Sequence, residues 1–459
     1  GADVEYEIRD ALLRPRQTQR KAVGGGRVVT DTLYDKRGNV AATYGAHLEP
    51  GEPSGTLWWE PEWSVPAVIK TVYDNADRPV AEILLAGDGQ SRLVEKRRTT
   101  TAYEGDLTKV TPPSGGTPTT TVSDVFGRTV ELRQHTTSSG VDGEYTALRY
   151  TYDQRGKLVE VVDPVGNQWT YTYDLRGLLV ESSDPDRGVT RTEYNDTLDP
   201  VAVTDARGVT LVTIYDALGR RIELREGSDT GPVRARWTYD RLYTGQALRG
   251  QLTEAVRYEP AGSDNAYKWQ LRNVTARYQP GGINLVVPAV EGDGLAGTWV
   301  FGYGYSAYNG DPTTFTFPAA GGLPGETVTV GYDKQTGLPV RLDTNLPGVG
   351  SYVTGQQYTP FGEPTVMTRQ VAGGAYVESD NDYDPVDRRL VRQVVQPENG
   401  PGTIVDRHYE RDPAGNIVER WSDDRAFRDE AGVVMINPGE RIQYEERIST
   451  REMEPGKTY

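Results

Sequence analysis

The chain has no cysteine, so neither a disulfide nor thiolate chemistry can contribute to it. Histidine is scarce. His47, His135 and His408 lie far apart, with no HExxH pair and no metal-ligand spacing, so each reads as structural. No Gly-x-Ser-x-Gly nucleophile elbow is present. Gly456-Lys-Thr458 imitates the end of a phosphate-binding loop, but Arg451 stands where that loop needs its first glycine. Carboxylates are plentiful without one pair standing out, and the Asp-rich turns match neither an EF-hand nor a calcium-binding nonapeptide. No cofactor or metal is therefore expected, and no catalytic residue is assigned. No apolar run approaches the 18 residues of a membrane span; residues 81–86 are typical. The chain opens Gly1-Ala-Asp-Val without a signal-peptide pattern or an initiator Met, which reads as a cut end of a longer protein. Basic surplus is lacking too: the net charge is −16, which disfavours nucleic acid as a partner. The acid excess reads as turn aspartates that aid solubility, with attraction of a basic cargo as the alternative.

Apolar residues make up only 36% of the chain, and its mean hydropathy is −0.61. Such values are compatible with disorder. The 28 Tyr and 8 Trp argue against it, because they recur periodically among turn residues. Tyr152, Tyr173, Tyr194 and Tyr215 stand 21 residues apart, and a fixed period of that size signals a repeat architecture. In each unit aromatic and β-branched residues alternate, as at Trp169, Tyr171 and Tyr173 against Thr170 and Thr172. This is a strand with unlike faces. Asp174-Leu-Arg-Gly177 then supplies a turn: Asp bonds its own backbone and Gly takes positive φ. Leu178 to Ser182 is the return strand, and residues 184–188 turn again. Turn acids at Asp153, Asp163, Asp174, Asp184, Asp205 and Asp216 predict a continuous antiparallel meander. One unit has Asn195 in place of Asp and Leu198 in place of Gly, so its turn is expected to be built differently. A thin sheet wetted on both faces suits the composition, since tyrosine packs its ring and keeps its hydroxyl hydrated.

Tyr-Asp-x-x-Gly followed by a short apolar run resembles the YD repeat of the Rhs family. Tyr152-Asp153…Gly156, Tyr173-Asp174…Gly177 and Tyr215-Asp216…Gly219-Arg220 carry the resemblance most clearly. Looser copies stand at Tyr34-Asp35…Gly38, Tyr73-Asp74…Asp77, Tyr332-Asp333…Gly337, Tyr383-Asp384…Asp387 and Asp412…Asn416, so it covers nearly the whole chain. The family includes bacterial Rhs polymorphic toxins, wall-associated proteins, the shell subunits of Tc insecticidal toxins and animal teneurins. The resemblance implies an all-β fold, a YD-repeat meander wound into a spiral, hollow β-shell, partial or complete. It implies a structural role without enzymatic activity: encapsulation of a toxic C-terminal domain or cargo polypeptide by a secreted or cell-surface bacterial protein. Bacterial Rhs toxins usually add a core with aspartate-based self-cleavage. No stretch here matches that core, so any toxin activity is expected beyond Tyr459. Related shells use longer arrays, so another shell chain is an expected partner at an open wall edge.

Residues 1–459 read as a single array. Residues 1–150 are diverged N-terminal repeats and 151–245 the regular 21-residue repeats. Residues 246–325 are an irregular insertion rich in Gly and aromatics, 326–421 are repeats of longer period, and 422–459 are a charged tail truncated before the Rhs core. The basic patch at residues 14–21 reads as a solvated edge or frayed terminus. Trp58, Trp59 and Trp63 lie in a Pro-rich connection. They read as a satellite core under a long loop, with sugar or protein binding as the alternative. Trp299, Phe301, Tyr303 and Tyr305 alternate with Gly302 and Gly304, which predicts a strand with one aromatic face, packed internally or serving as a ligand platform. Ile442, Tyr444 and Ile448 predict one more strand. The competing functional readings are a carbohydrate- or protein-binding adhesin module and, more weakly, a polysaccharide-active enzyme.

Overall fold

The computed structural model describes residues 4–136, 140–289, 295–398 and 403–422, with short strands at 428–429, 432–433 and 441–443. Its main feature is a 33-stranded antiparallel sheet. Each strand pairs with the next in sequence, from Tyr6–Arg9 against Pro15–Lys21 to Val405–Arg411 against Ile417–Ser422. Arg441–Gln443 then pairs with Ile417–Ser422. Ile442 thus occupies the expected extra strand, while Tyr444 and Ile448 lie outside the described residues.

The regular stretch shows how the sequence dictates the ladder. Gln168–Tyr173, Leu179–Asp184, Gly188–Tyr194, Pro200–Thr204, Thr210–Tyr215 and Arg221–Glu226 are joined by alternating turns at the two rims of the strip. One rim carries the Tyr-Asp turns and is called here the YD rim; the other is the far rim. Side chains alternate between faces. Tyr171, Ser182 and Thr190 share one cross-strand row, and Thr172, Glu181 and Arg191 share a row on the opposite face. The tyrosine face is half-buried; the other face is rich in Thr, Arg and Glu. Neither is covered by a second layer in the regular repeats, where fully buried side chains are rare. The accessible surface, 28846 Å², far exceeds the roughly 17,000 Å² that a compact chain of 50.6 kDa would expose.

The strip curls onto itself. The far-rim turn between the second and third strands meets the YD turn between the twenty-seventh and twenty-eighth. There the Val23 N–H donates to the Pro360 carbonyl at 3.1 Å, and the Arg20 guanidinium to the Phe361 carbonyl at 3.1 Å. The far-rim turn between the eighth and ninth strands likewise meets the YD turn between the thirty-first and thirty-second. The Ala414 N–H donates to the Ser114 carbonyl at 3.2 Å, and the Asn416 amide to the Gly115 carbonyl at 3.0 Å. One winding therefore takes about two dozen strands. Among the described residues no strand pairing closes the sheet into a barrel; the second winding stacks on the first rim to rim.

The N-terminal basic stretch departs from its expected role. Pro15–Lys21 is an interior strand, paired on both sides. Gln17 and Gln19 on it are fully buried, because the far-rim connection at residues 50–67 folds over this face. Their amides pair with the connection as a neighbouring strand would. Gln17 accepts from the Trp58 N–H at 2.9 Å and donates to the Trp58 carbonyl at 2.7 Å; Gln19 donates to the Thr56 carbonyl at 2.8 Å. Beneath the connection Val65 and Val68, both with no exposure, and Ala42 form a small core. A second core of Leu242, Leu248, Leu271 and Ile283 lies where the strands lengthen between residues 233 and 305. Phe301 and Tyr303 pack against it, so the aromatic face of the Gly297–Tyr305 strand is used for internal packing.

Candidate functional site: the interlocked YD rim

The regular YD turns are three-residue loops whose last residue takes the left-handed conformation. In the Tyr152 unit the Asp153 N–H donates to the Lys157 carbonyl at 2.9 Å and the Gly156 N–H to the Asp153 carbonyl at 3.0 Å. One carboxylate oxygen of Asp153 accepts the N–H groups of Arg155 and Lys157, at 2.9 and 2.8 Å. The same pattern holds at Asp35, Asp74, Asp174 and Asp216. These hydrogen bonds favour the charged form. The Lys157 N–H holds Asp153 below its ordinary value, and the Leu178 N–H does the same for Asp174. Asp333 is lowered by the Thr336 N–H, in a turn one residue longer that ends at Gly337.

The turns are joined to one another. The Tyr152 hydroxyl donates to the Thr129 carbonyl at 2.9 Å, at the start of the preceding return strand. Tyr34 reaches Pro15 at 2.9 Å, Tyr73 reaches Val40 at 3.0 Å, Tyr215 reaches Pro200 at 2.9 Å and Tyr332 reaches Pro312 at 2.6 Å; Tyr358 makes the same bond to Pro339, and Tyr383 to Pro364 at 2.9 Å. The acceptor follows the residue that closes the previous turn, and that closing residue is often Arg. Arg128 is clamped by Asp124, with Nε 2.7 Å from Oδ2, and lies over the Tyr152 ring at 4.6 Å. Arg14 over Tyr34 at 3.9 Å, Arg78 over Tyr103 at 4.3 Å and Arg220 over Tyr239 at 4.5 Å repeat the contact, as does Lys157 over Tyr173 at 5.6 Å. Tyr and Gly of one unit thus seat the cation of the unit before it. A Cβ on Gly156 would stand 3.3 Å from the Arg128 guanidinium, so this glycine supplies room as well as φ +81°. The arginine was not singled out from sequence. Its signal was the residue following the turn glycine at Arg128 and Arg220.

Two turns depart from the expected pattern. The Asn195 turn, expected to differ, is built like its neighbours: Leu198 takes φ +69° in the glycine position, and the Asn195 side chain accepts the Asp199 N–H at 2.8 Å. In the Tyr383-Asp384 turn the left-handed residue is Arg388, one place after Asp387.

A model of the family described as RHS Repeat matches residues 152–189, within this interlocked stretch. Residues 152–189 thus match the Rhs repeat. A second model, described as intracellular proteinase inhibitor, matches residues 408–459, of which only the beginning and short strands are described. No curated protein matches the sequence. Among solved structures, a crystal structure of TcdB2-TccC3 superimposes with a TM-score of 0.72 at 16% identity. It covers 92% of this chain, which spans 22% of that one. The Tc holotoxin pore of Photorhabdus luminescens matches with a TM-score of 0.72 at 18% identity and the same coverage. The chain therefore shares the fold of these Tc toxin structures over nearly its full length, and spans about a fifth of the length of those chains.

The tryptophans of the far-rim connection divide. Trp58 lies under the Arg27 guanidinium at 4.1 Å and is fixed by Gln17, while Trp59 is 72% and Trp63 38% exposed. Glu49 below them is raised from its ordinary value, first by burial and then by the nearby Glu60 charge. His135 is buried against Thr120 at 2.9 Å and His408 pairs with Asp406 at 3.0 Å. Among the described residues no helix is long and apolar enough to cross a membrane, and no group of His, Asp and Glu is placed to hold a metal ion.

Proposed function

We propose that this chain is a wall segment of a secreted, toxin-associated shell that encloses a polypeptide cargo and acts sterically rather than as an enzyme. The observation that carries this reading is the winding. A strip one sheet thick returns to its own rim after about two dozen strands and bonds there through Val23, Arg20, Ser114 and Gly115. At about 4.8 Å per strand, that winding has a circumference of roughly 115 Å and a mean diameter of about 35–40 Å, which leaves a lumen wide enough for a polypeptide. Tyrosine ties along the YD rim, with Asp–Arg clamps at several of its turns, keep the wall continuous. Wall continuity is what would exclude a protease from the interior.

Electron cryomicroscopy of the purified chain tests the reading. A spiral wall around a lumen is expected; a solid particle or a flat open sheet would overturn it. The adhesin reading keeps one specific support, the exposure of Trp59 and Trp63 beside Leu57. A saturable glycan-array signal abolished by Trp59→Ala would favour it over the shell.

A further inference from the structure

Among the described residues the YD rim is docked in the second winding and bare in the first. In the second winding the turn of Thr359, Pro360, Phe361 and Gly362 receives a far-rim turn, through the Pro360 and Phe361 carbonyls. In the first winding the turn of Asp124, Val125, Phe126 and Gly127 is built the same way. Its Gly127 N–H donates to the Asp124 carbonyl at 2.9 Å, as the Gly362 N–H donates to the Thr359 carbonyl at 3.0 Å. Val125 and Phe126 therefore stand where Pro360 and Phe361 stand. Phe361 is half-buried, with the Arg388 guanidinium 3.6 Å from its ring, whereas Phe126 is 79% and Val125 95% exposed. Leu175 and Leu218, at 97% and 76%, project from the second and fourth YD turns further along the same rim. Among the described residues no donor reaches the Val125 or Phe126 carbonyl, the two acceptors that the docked turn uses.

Large apolar side chains gathered along one exposed edge mark a contact surface. This edge is continuous with an interface already present in the molecule: it is the same rim of the same strip, about two dozen strands before the docked turns. The complementary edge is on the same chain. The far-rim turns at residues 163–166 and 184–188 meet no second winding among the described residues, and they expose Val165 and Arg187. Arg187 is a guanidinium of the kind that Arg20 supplies to the Phe361 carbonyl. We infer that the bare YD rim, centred on Phe126 and Leu218, docks the far rim of a second copy of this chain and so repeats the contact between its own windings. The two edges are different surfaces, so the contact is head-to-tail and does not close on itself. Copies add in a column that lengthens the wall. The inference rests on the winding, which also carries the shell reading.

Sedimentation velocity of the whole chain tests this, over a concentration series in salt that screens its net charge of −16. The average mass is expected to rise with concentration from 50.6 kDa through twice that value and beyond. Phe126→Asp combined with Leu218→Asp places two carboxylates on the bare rim at exposed positions, and should weaken association by at least about tenfold. Val125→Asp, at a still more exposed position, should act in the same direction, and far-ultraviolet circular dichroism shows that each variant keeps the sheet. The far rim of the double variant is untouched. A fluorescein-labelled sample of it should therefore still join an excess of unaltered chain and end the column there. An unaltered chain that stays single, or folded variants that associate as well as it does, would overturn the proposal. A labelled double variant that fails to join the unaltered chain would overturn it too, since like rims would then be pairing. A hollow particle that stays single removes this inference and leaves the shell. A solid particle removes both.

Discussion

The Tyr152 ring lies under the Arg128 guanidinium at 4.6 Å, while its hydroxyl holds the carbonyl of Thr129, the very next residue. One side chain thus grips the preceding turn twice, at its cation and at its backbone. Asp124 holds the same arginine from the other side. The Tyr-Asp-x-x-Gly-Arg pattern is therefore a joint between units: Tyr and Gly meet the cation of the preceding turn, while Asp bonds within its own.

Removing one half of the grip should leave the other. Tyr152→Phe deletes the hydrogen bond but keeps the ring, at an expected cost of about 0.5–1.5 kcal/mol. Arg128→Ala deletes the cation and leaves Asp124 without its clamp, at about 1 kcal/mol for a partly exposed pair. The two residues touch, so the double variant should cost measurably more or less than the sum of the singles. Urea unfolding of all four chains completes the cycle. Strict additivity would show that the ring and the cation do not act together.

Backbone strain gives a second, opposite-signed pair. Leu198 holds φ +69° and Gly156 φ +81° in equivalent turns. A left-handed L-residue costs about 1–2 kcal/mol, and glycine returns part of that through its freer unfolded chain. Leu198→Gly is expected to stabilise by about 0.5–1 kcal/mol. Gly156→Ala is expected to destabilise by about 1–2 kcal/mol, since it also crowds Arg128. Chemical-denaturation midpoints that move the wrong way in either variant would contradict this account of the turn.

The turn carboxylates set the pH response. Asp74, Asp153, Asp174 and Asp216 are all lowered, first by backbone N–H groups of their own turns, from an ordinary value of 3.8. A lowered folded pKa means that the unfolded chain binds more protons, so the stabilisation is complete above about pH 4 and is lost as pH falls through the folded values. Glu49, raised by burial, runs the other way and favours the fold at lower pH until its carboxyl ionises. With many turn aspartates against one such glutamate, the urea midpoint should change little between pH 5 and 7 and fall steeply below pH 4. A midpoint that holds steady down to pH 3 would show that these hydrogen bonds do not stabilise the native state.

The meander was legible because its chemistry is local. Asp and Gly within five residues fix a turn, and alternation fixes the strand between turns. Leu198 was misread because the rule was applied to one residue, whereas the Asn195 side chain and the flanking ladder together impose the conformation. The arginine grip was missed because its two halves lie in successive units, 24 residues apart for Arg128 and Tyr152. The winding was beyond reach: Arg20 meets Phe361 across 341 positions and Asn416 meets Gly115 across 301, with no pattern in either loop.

The rim contact itself can be opened selectively. Gly115 has φ +92°, and a Cβ there would stand 1.8 Å from an Asp412 carboxylate oxygen, so any side chain must move that carboxylate, which accepts the Gly415 and Asn416 N–H groups of the 412–416 turn. Gly105 has φ +64° with nothing within 4 Å, so Gly105→Ala carries a similar backbone penalty without touching another winding. Gly115→Ala should therefore expand the particle in small-angle scattering and expose the 403–422 segment to protease, while Gly105→Ala should do neither. The lack of native cysteine allows an independent check. With the Ala414 N–H 3.2 Å from the Ser114 carbonyl, Ser114→Cys with Ala414→Cys should form an intramolecular disulfide under mild oxidation, visible by mass spectrometry. Adding Gly115→Ala to that pair should suppress it. A cross-link that forms equally well with Gly115→Ala would mean that the second winding is held elsewhere. If the disulfide does not form even in the unaltered background, the two rims do not meet in solution, and the wall would have to be closed by something other than its own next winding.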